Sequence, residues 1–236
     1  MPEGDMTGTL VGVGVGPGDP ELLTLRAVRA IGEADRVLAP SSAVDAVGRA
    51  ESIVRQGCPG VRIERLVFAM GQASGSVDDA ARAVVAGLDA GQRLAFVTLG
   101  DPNIYSTFSS VAARVRELRP EAGIETVPGI MAFQELAARS ATVVLRDTER
   151  LALVTALDGP EALAGALADP DQAVVVYKGG RHLPAMAKAL ATAGRLDGAV
   201  FGELMGLPGE RVVPVAEAAE GPAAYLATVI VPPTGR

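Results

Sequence analysis

The chain has 236 residues, 49% of them apolar and 21% charged, and carries a formal net charge of −7 at neutral pH. That length suits one large domain or two of ordinary size with ample core, and the composition excludes a disordered chain. The acidic balance and the shortage of aromatics (three Tyr, five Phe, no Trp) argue against a nucleic-acid surface, and the single cysteine, Cys58, rules out an internal disulfide or a zinc site built on paired cysteines.

The first element is an apolar strand over Thr9–Val15, followed by the loop Gly14-Val15-Gly16-Pro17-Gly18-Asp19-Pro20. A helix is expected over Glu21–Ala34, with Leu22, Leu25, Val28 and Ile31 on one face and Asp19-Pro20 as N-cap and first-turn proline. A short strand over Arg36–Ala39, ended by Pro40, leads to a helix over Val44–Arg55, a strand over Val61–Phe68 and a helix over Val77–Ala90 closed by Gly91. The strand Arg93–Leu99, the loop Gly100-Asp101-Pro102-Asn103-Ile104-Tyr105-Ser106 and the amphipathic helix Thr107–Leu118 follow, then a strand over Gly123–Val127 that ends at Pro128-Gly129. Such alternation specifies a mainly parallel sheet covered by helices. The domain boundary is placed between 122 and 123. Beyond it come a helix over Met131–Ala138, a strand over Leu151–Ala156, a helix over Pro160–Leu167, a strand over Gln172–Tyr177 and a helix over Leu183–Ala193. Three apolar segments, Ala199–Leu204, Arg211–Pro214 and Tyr225–Val231, close the chain without long helices between them, so this second sheet is expected to be mixed. The fold class is therefore α/β with two α/β domains.

Both glycine-rich loops sit at carboxyl ends of strands, where open α/β sheets bind ligands. A dinucleotide frame G-x-G-x-x-G fails: started at Gly12 it meets Pro17, and started at Gly14 it meets Asp19. The second strand ends in Leu38-Ala39-Pro40-Ser41, without the carboxylate that would hold a ribose, and no Gly-Lys-Ser/Thr follows the first loop. Asp19 would repel a phosphate, and taken alone the loop reads as a strand-to-helix turn with Asp19 as its cap. Asp101 with exposed backbone groups suits a ligand bearing hydroxyl, ammonium or sulfonium groups; Gly100 permits close approach to the backbone. Asp101 also reads as a turn cap.

In combination these segments resemble the tetrapyrrole methylase family, the class III methyltransferases that use S-adenosylmethionine. The resemblance is carried by Val13 to Ala27, Thr98 to Ser106, Val127-Pro128-Gly129-Ile130 and Val174-Val175-Val176-Tyr177-Lys178-Gly179, in that order. Asp101 to Phe108 and Val127 to Phe133 look most like members that methylate precorrin-2 at its carbon-20 meso position in cobalamin biosynthesis. The resemblance implies S-adenosylmethionine, released as S-adenosylhomocysteine, in a cleft with residues 1–122 on the tetrapyrrole side and 123–236 on the cofactor side. It also implies a homodimer and a small-molecule tetrapyrrole partner. By position it assigns Pro17, Gly100, Asp101, Ile104, Met131, Ala132, Lys178, Leu204, Met205 and Thr228 to the cofactor. Lys178 stands where related enzymes often carry methionine. Gly16, Asp19, Arg26, Tyr105, Arg146 and Arg181 are assigned to a substrate bearing several carboxylates, with Arg139, Arg150 and Lys178 as further basic candidates.

The chemistry asks for no covalent nucleophile, because the meso carbon of a reduced tetrapyrrole is itself electron-rich. A base must remove the proton from the methylated carbon, and no residue is assigned to it; His182, the only histidine, reads either as that base or as a loop residue ahead of its helix. Cobalt-loaded precorrin-2, precorrin-4, uroporphyrinogen III and a protein substrate of diphthamide type remain alternatives. A non-catalytic Rossmann-like nucleotide module is the reading from another class. No metal site is expected. No apolar run reaches the roughly 20 residues of a membrane span, and no secretory leader is recognisable at the start, so the cytoplasm is the expected compartment.

Overall fold

The computed structural model describes residues 8–43, 45–68 and 73–234. The chain divides into two units, Met1–Met131 and Ala132–Arg236.

Unit 1 alternates strands and helices throughout: β1 (Thr9–Gly14), α1 (Leu25–Gly32), β2 (Arg36–Ser41), α2 (Arg49–Gly57), β3 (Ile63–Val67), α3 (Ala73–Asp89), β4 (Arg93–Thr98), α4 (Thr107–Leu118) and β5 (Gly123–Val127). The strands form one parallel sheet in the order β3-β2-β4-β1-β5. The central strands read as unbroken apolar runs because helices cover both faces. Side chains alternate between those faces. Val11, Val13, Val37, Ala95 and Val97 pack with Ala27, Ile31, Ile53 and Val54 of α1 and α2 on one side. Leu10, Leu38, Leu94 and Phe96 pack with Val84, Leu88, Phe108 and Val111 of α3 and α4 on the other. The helices that leave the adjacent strands β1 and β4 thus go to opposite faces. This is the topological switch point at which open α/β sheets leave a ligand crevice.

The boundary expected between 122 and 123 falls between 131 and 132. The reason is that β5 pairs in parallel with β1 along Thr9–Val13, so it belongs to the first sheet. The helix expected over residues 21–34 is two pieces. Asp19 accepts a hydrogen bond from the Glu21 amide (2.9 Å) and caps a short 3-10 turn, Pro20–Leu22. α1 then starts afresh with Thr24 as its cap, accepting from the Ala27 amide at 3.0 Å. Its buried face is Ala27, Ala30 and Ile31, whereas Leu25 is 84% exposed and Val28 39%. β2 is not ended by Pro40: its ladder with β4 covers Arg36–Leu38, but against β3 it continues to Ser41. The helix expected over residues 44–55 begins at Arg49, and Val44 lies outside the described residues.

Unit 2 contains α5 (Ala132–Arg139), β6 (Arg150–Thr155), α6 (Ala164–Leu167), β7 (Gln172–Tyr177), α7 (Leu183–Thr192), β8 (Val200–Glu203), β9 (Arg211–Pro214), α8 (Val215–Ala218) and β10 (Thr228–Val231). Its sheet order is β6-β7-β10-β8-β9. β6 and β7 are parallel, while β10 runs antiparallel to β7 and β8, and β8 antiparallel to β9. The mixed sheet expected from the helix-poor C-terminal segments is what forms. Val174, Val176, Phe201, Val229 and Val231 pack on Leu183, Met186 and Leu190 of α7; Val175 and Ile230 pack on Leu136 of α5 and on Met205. Arg195, 3% exposed, acts as a staple. Its guanidinium donates to the carbonyls of Leu167 (3.4 Å), Asp169 (3.1 Å), Gln172 (2.7 Å) and Pro232 (2.9 Å), joining segments far apart in sequence.

In unit 1 the corresponding polar anchor is Glu51, fully buried in α2. Arg65 of β3 holds it through two hydrogen bonds (2.6 and 2.8 Å) and Arg55 through another (2.8 Å). The Arg65 hydrogen bond is the main cause that keeps this carboxyl below the usual glutamate range, against the opposing effect of burial. A depressed carboxylate pKa stabilises the fold above the unfolded-state value and ceases to do so as pH falls through the folded-state value. Glu51→Gln is therefore expected to cost about 2 kcal/mol at pH 7. The gap between variant and wild type should close as pH drops below about 4, measured by urea unfolding across pH. A gap independent of pH would refute the ion-pair account.

Candidate active site

The carboxyl edge of the unit 1 sheet is built by four glycines, Gly14, Gly16, Gly100 and Gly129. Beyond the last ladder residues of β1 and β4, the Val15 amide donates to the Thr98 carbonyl and the Gly100 amide to the Gly16 carbonyl, each at 2.9 Å. Gly16 and Gly100 there form an isolated antiparallel bridge, with φ of +82° and +67°, a region glycine enters without steric cost. The ends of β1, β4 and β5 then crowd together. A Cβ on Gly14 would lie 2.4 Å from the Gly100 oxygen and 2.6 Å from the Gly129 nitrogen. On Gly129 it would lie 2.1 Å from the Gly100 oxygen. On Gly100, by contrast, it would meet nothing within 4 Å, so the loop is open on that side.

Asp101 locks this arrangement. One carboxylate oxygen accepts from the Asn103 amide (2.8 Å) and the other from the Gly129 amide (3.2 Å), so the Gly100 loop is tied to the Pro128-Gly129 turn. The Asn103 side chain adds a bond to the Thr126 hydroxyl (3.3 Å). Asp101 is thus not the cap of α4. That place belongs to Ser106, whose hydroxyl accepts from the Phe108 amide (3.0 Å) and shares a hydrogen bond with Thr98 (2.9 Å). Between them Pro102 is buried, Ile104 half-buried and Tyr105 exposed, with Tyr105 held at φ +50°. Pro17 and Met131 are also buried in this unit; Arg26 is exposed on α1.

In unit 2, Thr228 opens β10 between Tyr177 of β7 and Gly202 of β8. The residues just past those two strands, Lys178 and Leu204, both take positive φ (59° and 55°). Met205 is buried beside Leu136, and a Cβ on Gly202 would meet Leu136 Cδ1 at 2.7 Å and the Met205 sulfur at 3.0 Å. The Tyr177 hydroxyl accepts from the Phe133 amide (3.3 Å), in the first turn of α5 beside Ala132. Five of the residues assigned to the cofactor, Ala132, Lys178, Leu204, Met205 and Thr228, are thereby gathered at one end of this sheet. Burial draws the Lys178 ammonium below the ordinary lysine value.

The basic candidates separate. Arg139 pairs with Glu135 (2.6 Å) and Glu210 (3.8 Å), and Arg150 pairs with Asp169. Arg146 and Arg181 are exposed. His182 Nε2 lies 3.2 Å from the Leu157 carbonyl, which fixes the proton on that nitrogen.

The family model of the tetrapyrrole (corrin/porphyrin) methylases matches residues 9–219. The chain belongs to the tetrapyrrole methylase family. It is a methyltransferase. A Sinorhizobium protein named precorrin-2 C(20)-methyltransferase is 32% identical over 238 residues, covering 95% of both chains. A Salmonella typhimurium protein named cobalt-precorrin-2 C(20)-methyltransferase is 33% identical over 212 residues, covering 87% of both. Among solved structures, a cobalamin synthesis related protein (CobF) of Corynebacterium diphtheriae superposes with a TM-score of 0.75 at 21% identity, covering 96% of this chain and 99% of that one. The uroporphyrin-III C-methyl transferase of Thermus thermophilus, solved with S-adenosylhomocysteine, gives 0.67 at 24% identity, covering 95% and 92%. These likenesses establish the shared fold.

Within this methylase fold, sequence reasoning missed Gly14 and Gly129 as a steric junction. Their signal was a glycine at each strand end, one of them next to a proline. Gly129→Ala forces its methyl group onto the Gly100 carbonyl. Overpacking of about 1–3 kcal/mol is expected. It should appear as at least about tenfold faster hydrogen exchange at the Gly100 amide, with unit 2 amides unchanged. Unaltered exchange at Gly100 would show that the junction yields freely.

Proposed function

We propose that the chain methylates precorrin-2 at its carbon-20 meso position, with S-adenosylmethionine as donor, to give precorrin-3A in cobalamin biosynthesis. The observation that carries this reading is the 32% identity to the Sinorhizobium enzyme over 95% of both chains, which spans both units. The cobalt-loaded substrate is the second reading, favoured by the Salmonella relative at 33%. A homodimer working in the cytoplasm belongs to the same proposal. Among the described residues no helix is long and apolar enough to cross a membrane.

The donor supplies an electrophilic methyl group on sulfur. The residues proposed for it in unit 1 are Pro17, Gly100, Asp101, Ile104 and Met131; in unit 2 they are Ala132, Lys178, Leu204, Met205 and Thr228. The chemistry of the first group fits such a ligand. The face over Gly100 is open, and the strand-end amides and carbonyls beside it suit hydroxyl and ammonium groups. Asp101 already accepts two amide bonds, but each carboxylate oxygen retains a lone pair for a further donor. Its role is then twofold: it fixes the loop and presents negative charge to a cation. Gly16, Asp19, Arg26, Tyr105, Arg146 and Arg181 are proposed for the tetrapyrrole. Holding donor and meso carbon in line at contact distance contributes about 7–11 kcal/mol without any covalent intermediate on the protein.

The test is direct. Purified protein is incubated with S-adenosylmethionine and, separately, precorrin-2, cobalt-precorrin-2, precorrin-4 and uroporphyrinogen III, and products are weighed by mass spectrometry. The expected result is a product one methyl heavier from precorrin-2, with S-adenosylhomocysteine formed in equal amount. Methylation of uroporphyrinogen III or precorrin-4 in its place would move the substrate elsewhere in the family. Transfer to none of the four would overturn the proposal.

A further inference from the structure

Arginine side chains in this chain are mostly paired. Among the described residues, the partly buried arginines each pair with a carboxylate: Arg36 with Glu64, Arg65 with Glu51, Arg93 with Glu125 (its Nε left without a partner), Arg114 with Asp78 and Glu117, and Arg119 with Asp89. Arg195, fully buried, has its four carbonyls. Arg49 is the exception. It is half-buried, and neither a carboxylate nor a carbonyl of the described residues takes its guanidinium. The acid of its own helical turn, Glu51, is already taken by Arg55 and Arg65.

Its setting makes this costly for the protein alone. Arg49 is the first residue of α2, where the helix dipole is positive and a cation is disfavoured. Burial, the one cause acting on it, draws its pKa below the ordinary arginine value. A partly desolvated charge without a counter-charge is a standing penalty that an anion would relieve.

Its place in the sheet shows where that anion comes from. The start of α2 presses on the end of β2, since a Cβ on Gly48 would lie 2.6 Å from the Pro40 carbonyl. Leu38, opposite Phe96, is the last β2 residue paired with β4, and β4 ends two residues later at Thr98, the partner of Gly14. Arg49 therefore opens its helix at the carboxyl edge of β2, the strand beside the one that leads into the Gly100 loop.

We propose that Arg49 binds a carboxylate of the tetrapyrrole and so helps set substrate specificity, an inference that rests on the methyl acceptor being a tetrapyrrole. It was absent from the basic residues singled out in the sequence. A lone arginine opening a helix carries no signal there; its lack of partners does.

The experiment measures binding of uroporphyrin, a polycarboxylate tetrapyrrole, by fluorescence, and of S-adenosylhomocysteine by calorimetry, for wild type, Arg49→Gln and Arg49→Lys. Loss of one charge-assisted hydrogen bond should raise the porphyrin Kd about tenfold in Arg49→Gln, which corresponds to about 1.4 kcal/mol. Arg49→Lys should recover part of it. S-adenosylhomocysteine affinity and melting temperature should not fall, because no intramolecular partner is lost. Equal porphyrin affinity in wild type and Arg49→Gln, or no porphyrin binding by the wild type, overturns the inference. So does a joint fall of melting temperature and both affinities, which marks a structural residue. The methylation proposal fails by a separate measurement, the absence of any methylated product, and the porphyrin Kd still decides Arg49.

Discussion

The constraint on which unit 1 depends is the close approach of three backbones at the carboxyl ends of β1, β4 and β5. Parallel strands lie about 4.8 Å apart within a sheet, but Gly14, Gly100 and Gly129 approach until no Cβ fits at two of the three positions. This concentrates main-chain amides and carbonyls at the switch point, where the helices following β1 and β4 leave for opposite faces. The polar groups are held by backbone geometry and by one carboxylate, Asp101, spanning two turns. A site made this way needs few specialised side chains. That is consistent with a methyl transfer in which the acceptor carbon provides the electrons and the protein provides orientation.

Unit 2 reaches a similar end by another route. Its sheet is mixed, so strand ends and strand starts meet at one edge: Thr228 begins β10 between the ends of β7 and β8. The chain turns sharply after both of those strands, with Lys178 and Leu204 in the left-handed region. A non-glycine residue there is uncommon and costs of order 1 kcal/mol or more. Packing compensates: Met205 and Leu136 seat against Gly202, and Arg195 binds the far segments of the unit together. The strain is therefore placed beside the buried core, where it can be held.

Much of this was legible in the sequence. Alternating apolar runs and amphipathic stretches gave the parallel first sheet, and the helix-poor tail gave the mixed second one. Both loops were found by their glycines and prolines, and the dinucleotide and phosphate readings failed on particular residues, Pro17 and Asp19. What was not legible came from pairing across distance. Nothing local says that Gly123–Val127 joins β1 in place of the following strands, so the boundary was set too early. The apolar spacing of Leu22, Leu25, Val28 and Ile31 suggested a buried stripe, but Thr24 restarts the helix and rotates Leu25 and Val28 outward. The bond from Gly129 to Asp101 crosses 28 residues and has no sequence signature.

A chain of net charge −7 is a poor general partner for a polyanion, since its overall field repels one. Recognition of a polycarboxylate must then come from cations that the fold has left unneutralised at the right edge. The pairing pattern sorts these out. Arg139 and Arg150 belong to their own acids, as do the arginines of the α2–β3 and α3–α4 contacts. The cations free to meet a ligand are those the ion-pair network does not consume, and a cation already partly stripped of water needs less further desolvation on binding than an exposed one. Acidic surface and the local basic recognition proposed for the substrate are thus compatible: the first discourages nonspecific anions, and the second is confined to one sheet edge.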